Sequence, residues 1–226
     1  MIDFTPKDVY NIDDLLRIMT ILRSKDGCPW DRAQTHKSIR RDFIEETYEA
    51  VEAIDNADSD LLCEELGDVL LQVVFHAEIE REAGRFSFDE IVNGVCQKLV
   101  HRHPHVFGDL SIDTADEVLA NWNKIKADDK NQSITETLLA VSKALPALIR
   151  AQKVAKRSEA AGEIFTEAEI AAKIRALAAN TEDDENIGEL LFFTAFLAEK
   201  RKKDSELLLS AATNAYIKSS AESEKE

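Results

Sequence analysis

Apolar residues recur three and four positions apart over most of this chain, the period that places them on one face of an α-helix. Ile44, Tyr48 and Val51 repeat in this way within residues 38–56, and Leu62, Leu66, Val69 and Val73 do so within 60–83. No run alternates apolar and polar positions as a half-buried strand would. Four segments also open with a hydroxyl residue followed three positions later by Glu: Ser87 and Glu90, Thr114 and Glu117, Ser133 and Glu136, Thr166 and Glu169. Hydroxyl and carboxylate at that spacing satisfy backbone N–H groups that a helix start leaves free. The pattern predicts helices over 12–25, 38–56, 60–83, 88–102, 115–128, 134–161, 167–179, 184–202 and 204–218, with Gly27, Gly84 and Gly162 as stops. The expected fold is all-α.

Two halves are visible. Residues 66–78 align without gaps on 187–199, so that Gly67 matches Gly188, Asp68 matches Glu189, Phe75 matches Phe196 and Ala77 matches Ala198. A polar stretch lies between the halves. The expected organisation is a helical domain over 1–126, a linker over 127–133, a second repeat over 134–218 and a frayed acidic tail over 219–226.

Charge narrows the possible partners. The 226 residues carry 44 acidic against 28 basic side chains, a formal net charge of −16. Broad electrostatic binding of a nucleic-acid backbone needs a basic surface, so no nucleic-acid partner is expected. A polyanion can still bind where a divalent cation mediates the contact. The three cysteines have no CxxC pairing and read as reduced thiols of a cytoplasmic protein. No secretory leader and no apolar run of membrane-spanning length is recognised, so no membrane partner is expected.

The charge is concentrated in one place. Residues 43–72 hold ten acidic side chains and no Lys or Arg. Glu45, Glu46 and Glu49 share one side of their helix, and Glu65 and Asp68 share one side of the next. Like charges at these spacings repel, and beside an apolar face each carboxylate must be paired, protonated or metal-bound. A helical hairpin turning near residues 55–60 would bring the two sets together. An all-oxygen set favours Mg²⁺, Mn²⁺ or Ca²⁺, and ligands on helices rather than in an Asp/Gly-rich loop disfavour Ca²⁺. A ferritin-like di-iron centre needs Glu three residues before His, and none of the five histidines has one. For Glu52, Asp55, Asp58 and Glu64 the preferred reading is a solvated face. Gly67, inside a helix, suggests close approach of a backbone or a ligand.

EExxE followed fifteen residues later by ExxD resembles the signature of the all-α nucleoside triphosphate pyrophosphohydrolases, specifically the MazG type. The resemblance extends to Gly27-Cys-Pro-Trp-Asp31 with Gln34-Thr35, to Glu82-Ala-Gly-Arg-Phe86, to the segment from Lys98 to Phe107 containing Arg102-His-Pro-His105, and to Leu145-Pro-Ala-Leu-Ile-Arg150. It is strong over residues 11–155. It implies hydrolysis of a nucleoside triphosphate to the monophosphate and pyrophosphate, with Mg²⁺ (Mn²⁺ as a substitute) and usually a homodimer. It also implies Glu46, Glu49, Glu65 and Asp68 as metal ligands, Glu45 as the group that orients or deprotonates water, Lys98 and Arg102 as phosphate contacts, and Trp30 as a wall for the base or an anchor for its loop. His101, His103 and His105 alternate through Pro104 as an extended segment and lack zinc spacing. The absence of a GxxxxGK[ST] motif disfavours β–γ cleavage of the ATPase kind.

The second half departs from this pattern. Asn186 stands where Glu65 would be, Glu189 where Asp68 would be, and residues 171–179 contain no EExxE. That half is expected to be structural or dimer-forming. A weakly active or inactive helical dimer that binds nucleotides or a protein partner is the alternative function.

Overall fold

The computed structural model describes residues 2, 4–129, 133–160, 162 and 165–223. Among these residues the secondary structure is helical, with no strand. The chain divides into two compact units, Met1–Trp122 and Asn123–Glu226. The division falls a few residues before the expected end of the first domain at 126. The predicted linker begins inside a helix, its residues 130–132 lie outside the described residues, and of the predicted tail 219–223 are helical while 224–226 lie outside them.

In the first unit, α1 (Ile12–Arg23) opens on a capping box not among the four predicted. The Asn11 side chain accepts from the Asp14 N–H at 3.1 Å, and the Asp14 carboxylate accepts from the Asn11 N–H at 3.1 Å. After α1 the chain turns sharply at Gly27. A Cβ there would sit 2.1 Å from the Ile21 carbonyl oxygen, so only glycine lets the Cys28 N–H donate to the Leu22 carbonyl at 2.7 Å. The short helix α2 (Pro29–Ala33) follows, begun by a proline whose missing N–H costs nothing at a helix start. It was not predicted, because five residues are too few to show a period.

Helices α3 (Arg40–Asp55) and α4 (Ser59–Glu82) form the hairpin that the periodicity predicts. Asp58 caps α4 by accepting from the Asp60 and Leu61 N–H groups, and Ala57 takes the left-handed conformation, φ 53°, that the tight connection requires. Gly84, φ +66°, ends α4 as predicted. Helices α5 (Phe88–Arg102), α6 (Pro104–Phe107) and α7 (Ala115–Asp128) complete the series, and the unit boundary falls within α7. The segment expected to be extended around Pro104 is therefore one helical turn.

The core of this unit is Met19, Ile39, Val74 and Phe75, with Leu15, Leu16, Leu71, Ile79 and Phe88 packed against it. Arg23 ties the corner together although it is buried. It donates twice to the Glu82 carboxylate (2.9 and 2.8 Å) and to the Asp31 and Gln34 carbonyls (2.6 and 3.3 Å), with its guanidinium 5.3 Å from the Phe75 ring. The stripe expected to be buried on α3 is not. Ala50 and Ala53 are the buried residues, whereas Ile44, Tyr48 and Val51 are exposed, as is Leu66 on α4. Small residues let α3 and α4 approach closely, and the larger apolar side chains are left on the outer faces.

In the second unit, α9 (Ala147–Ala160), α10 (Glu167–Ala178) and α11 (Asp184–Lys200) enclose Ala155, Ile170, Phe193 and Phe196. The single helix expected over 134–161 is two, α8 (Ile134–Leu139) and α9. Pro146 lacks an N–H and disfavours a helical residue before it, so the chain breaks over 140–146. The last helix, α12 (Ser205–Ser223), is fixed at its start by Gln152 of α9, whose side-chain oxygen accepts from the Ser205 N–H at 2.9 Å and hydroxyl at 2.7 Å.

Candidate active site

The α3–α4 hairpin gathers three of the predicted metal ligands. One carboxylate oxygen from each of Glu46, Glu49 and Glu65 lies within 4.8 Å of the others. Glu65 is buried, Glu46 half-buried and Glu49 exposed. Burial raises the pKa of Glu46, and every charged neighbour that adds to the rise is a carboxylate: Asp68, Glu49 and Glu65. Glu65 is raised in the same way, first by burial and then by Glu49, Asp68 and Glu64. Asp68, the fourth predicted ligand, acts on both. The three convergent carboxylates, with Asp68 near enough to act on two of them, are a set of hard oxygen donors that fits a cation such as Mg²⁺.

The other predicted residues are not brought into this group. Glu45 forms an ion pair with Arg41, one turn back on α3, at 3.8 Å, with about half of its side chain exposed. The acid-rich window thus has a basic partner just outside its edge. Trp30 is 61% exposed on α2, its carbonyl accepting from the Gln34 side chain at 3.0 Å. Lys98 is exposed on α5, and Arg102 stacks on Trp122, its guanidinium 5.5 Å from the ring. His103 holds the end of α5 through the Leu99 carbonyl at 2.6 Å and packs on His105 and Trp122, a structural role. Among the described residues an added Cβ on Gly67 would meet no atom within 4 Å, so that glycine serves no close backbone approach there.

Residues 34–107 match the model of the MazG nucleotide pyrophosphohydrolase domain. The nucleoside triphosphate pyrophosphohydrolase of Escherichia coli (strain K12) is 40% identical over 220 residues, covering 91% of this chain and 84% of the relative. This chain belongs to the MazG family of nucleoside triphosphate pyrophosphohydrolases. The nucleoside triphosphate pyrophosphohydrolase/pyrophosphatase MazG of Thermotoga maritima is 37% identical over 213 residues, or 91% of this chain and 82% of that one. The uncharacterized protein YabN of Bacillus subtilis is 50% identical over 139 residues, 62% of this chain, but the match spans only 28% of that longer protein.

The MazG match begins at Gln34 and so takes in residues that sequence reasoning passed over. On α4 the polar residues Asp68, Gln72, His76 and Glu80 follow one another at intervals of four, one file along a helix that is otherwise largely apolar. Gln72 and Glu80 are buried. His36, from the segment before α3, meets this file with Nδ1 2.7 Å from His76 Nδ1 and Nε2 2.5 Å from the Glu80 carboxylate. The four-residue spacing was visible in the sequence. That a histidine 40 positions earlier completes it was not.

Proposed function

We propose that this MazG-family enzyme hydrolyses nucleoside triphosphates between the α- and β-phosphates, releasing the nucleoside monophosphate and pyrophosphate, with Mg²⁺ held by Glu46, Glu49, Glu65 and Asp68. The observation that carries this reading is the meeting of Glu46, Glu49 and Glu65 within 4.8 Å. A bound divalent cation supplies the positive charge that neutralises the phosphate oxygens, and Mn²⁺ is a substitute for Mg²⁺. Attack by water at the α-phosphorus forms one P–O bond as the bond to the α–β bridging oxygen breaks. Glu45, beside the ligands in sequence, is assigned to orient the water and take its proton. Lys98 and Arg102, one turn apart near the end of α5, are assigned to the phosphates, and Trp30 to the base.

The proposal includes a homodimer. Ile44, Tyr48 and Val51 on α3, with Val92, Val95 and Leu99 on α5, present large apolar side chains that are 41–52% exposed. We read the second unit as a degenerate MazG repeat with a structural role. The Asn186 amide donates to the Asn180 carbonyl at 3.0 Å and Glu189 pairs with Lys173 at 4.0 Å, so the positions matching Glu65 and Asp68 serve local contacts. The setting is cytoplasmic control of the nucleotide pool, without a nucleic-acid partner. Among the described residues no helix is long and apolar enough to cross a membrane.

Incubation of the full chain with Mg²⁺ and a panel of nucleoside triphosphates tests the reaction. Monophosphate with pyrophosphate is the expected product pair, and diphosphate with phosphate, or no turnover, overturns the assignment. Glu49→Gln is expected to abolish turnover while its circular dichroism stays that of the parent.

A further inference from the structure

The chain from His36 through His76 and Glu80 to Arg85 lies outside the acidic group, and nothing in the proposed reaction uses it. Its proton count is constrained. Glu80 has its pKa lowered to about 2, first by the hydrogen bonds from Arg85 and also by His36, so it is ionised and His36 Nε2 must donate to it. Two Nδ1 atoms 2.7 Å apart admit one proton between them: one donates and the other accepts. The rings stack at 5.0 Å, and His76 also packs on Phe43, 5.6 Å away. One added proton is taken up at His76 Nε2 and leaves the Nδ1 contact with its single proton; N–H faces N–H only when both rings are imidazolium.

The place of the pair gives this consequence. Helix α3 has no side-chain cap, since its N-cap residue is Ile39. Its start depends instead on residues 34–39, which are attached at three points. Arg23 holds the Gln34 carbonyl, Ile39 is buried in the core, and His36 binds α4 between them. The groups facing His76 are His36 from this segment, Glu80 from its own helix and the Phe43 ring from α3, with Arg85 beyond Glu80. Arg23 on α1 is engaged with Glu82. Of the three attachments, only that of His36 is made through imidazole rings.

We infer that His36 and His76 form a proton-sharing latch that positions the uncapped start of α3, and with it Glu46 and Glu49, on α4, and that protonation of both rings opens it. Burial and then the neighbouring His36 lower the His76 pKa, which keeps the pair short of double protonation at neutral pH, so the latch is closed there and opens on the acid side. Its effect on Glu46 and Glu49 rests on the metal reading above; the latch itself does not.

Amide hydrogen exchange on the full chain at pH 7.5 and 5.5, normalised for intrinsic rates, tests the latch without metal or nucleotide. Protection over residues 36–43 should fall about fivefold to tenfold at pH 5.5 relative to α1, the scale of one net hydrogen bond. His36→Phe should show the lowered protection at both pH values. Ring ¹⁵N spectra of the parent should show the two histidines titrating as a coupled pair, a readout that stands should the variant fold poorly. Equal protection at both pH values in the parent, or two independent titrations at the ordinary imidazole value, overturns the latch. At pH 7.5, Mn²⁺ binding followed by water proton relaxation should weaken severalfold in His36→Phe. Unchanged Mn²⁺ affinity there overturns the link to the carboxylates. No Mn²⁺ uptake by either protein, with protection still pH-dependent, overturns the metal reading and leaves the latch standing.

Discussion

Replacing Glu46 by Gln should stabilise the metal-free protein and remove its response to metal. Glu46 lies within 4.8 Å of two other carboxylates, and the charged groups that perturb it are all acidic. Two like charges at about that separation repel by roughly 1 kcal/mol in a water-like medium. Glu46 is half-buried with two such neighbours, but solvent screens the pairs. The net gain for Glu46→Gln is about 1 kcal/mol, or a rise of roughly 2–4 °C in melting temperature for a protein of this size. Both tryptophans, Trp30 and Trp122, lie in Met1–Trp122, so intrinsic fluorescence reports the unit that holds the hairpin. In chelator the variant should melt above the parent. With Mg²⁺ at about tenfold over its dissociation constant the parent should gain about 1.4 kcal/mol and the variant little, so the order reverses. A variant that melts below the parent in chelator, or that gains as much from Mg²⁺, refutes the reasoning.

Metal-free stability should depend on pH in a way that metal reverses. A carboxyl whose folded pKa is raised binds protons more tightly folded than unfolded, so Glu46 and Glu65 contribute stability that is lost as pH rises from about 4.5 through their raised values. Glu80 has the opposite sign: its contribution is present above about 4.5 and lost as pH falls towards 2, which urea titrations at pH 3 and 6 on Glu80→Gln and its parent would reveal. Arg23→Met should cost about 3 kcal/mol by thermal denaturation, because it removes a buried cation that joins Glu82 to two backbone carbonyls. Phe196→Ala, at a site 1% exposed beside the rings of Phe165, Phe192 and Phe193 in the second unit, should cost about 3–4 kcal/mol by the same measurement.

The helices were legible because their signals are local. A capping box needs only four residues, and those at Ser87, Ser133 and Thr166 form as the spacing predicts. The carboxylate pattern was legible for the same reason. Glu46 and Glu49 occupy one side of a helix wherever that helix packs, and a connection of three residues to the next helix leaves few ways to arrange Glu65. What failed was inference about neighbours distant in sequence. Ile44, Tyr48 and Val51 have the period of a buried stripe, yet period reports only that residues share a face. Ala50 and Ala53 face α4 because small side chains allow the closest helix approach, a choice settled by packing. Tertiary structure likewise decided that Arg23 is the buried joint of the first unit and that His36 closes on His76 and Glu80. Each of these depends on distance through space, and a sequence encodes distance only along the chain.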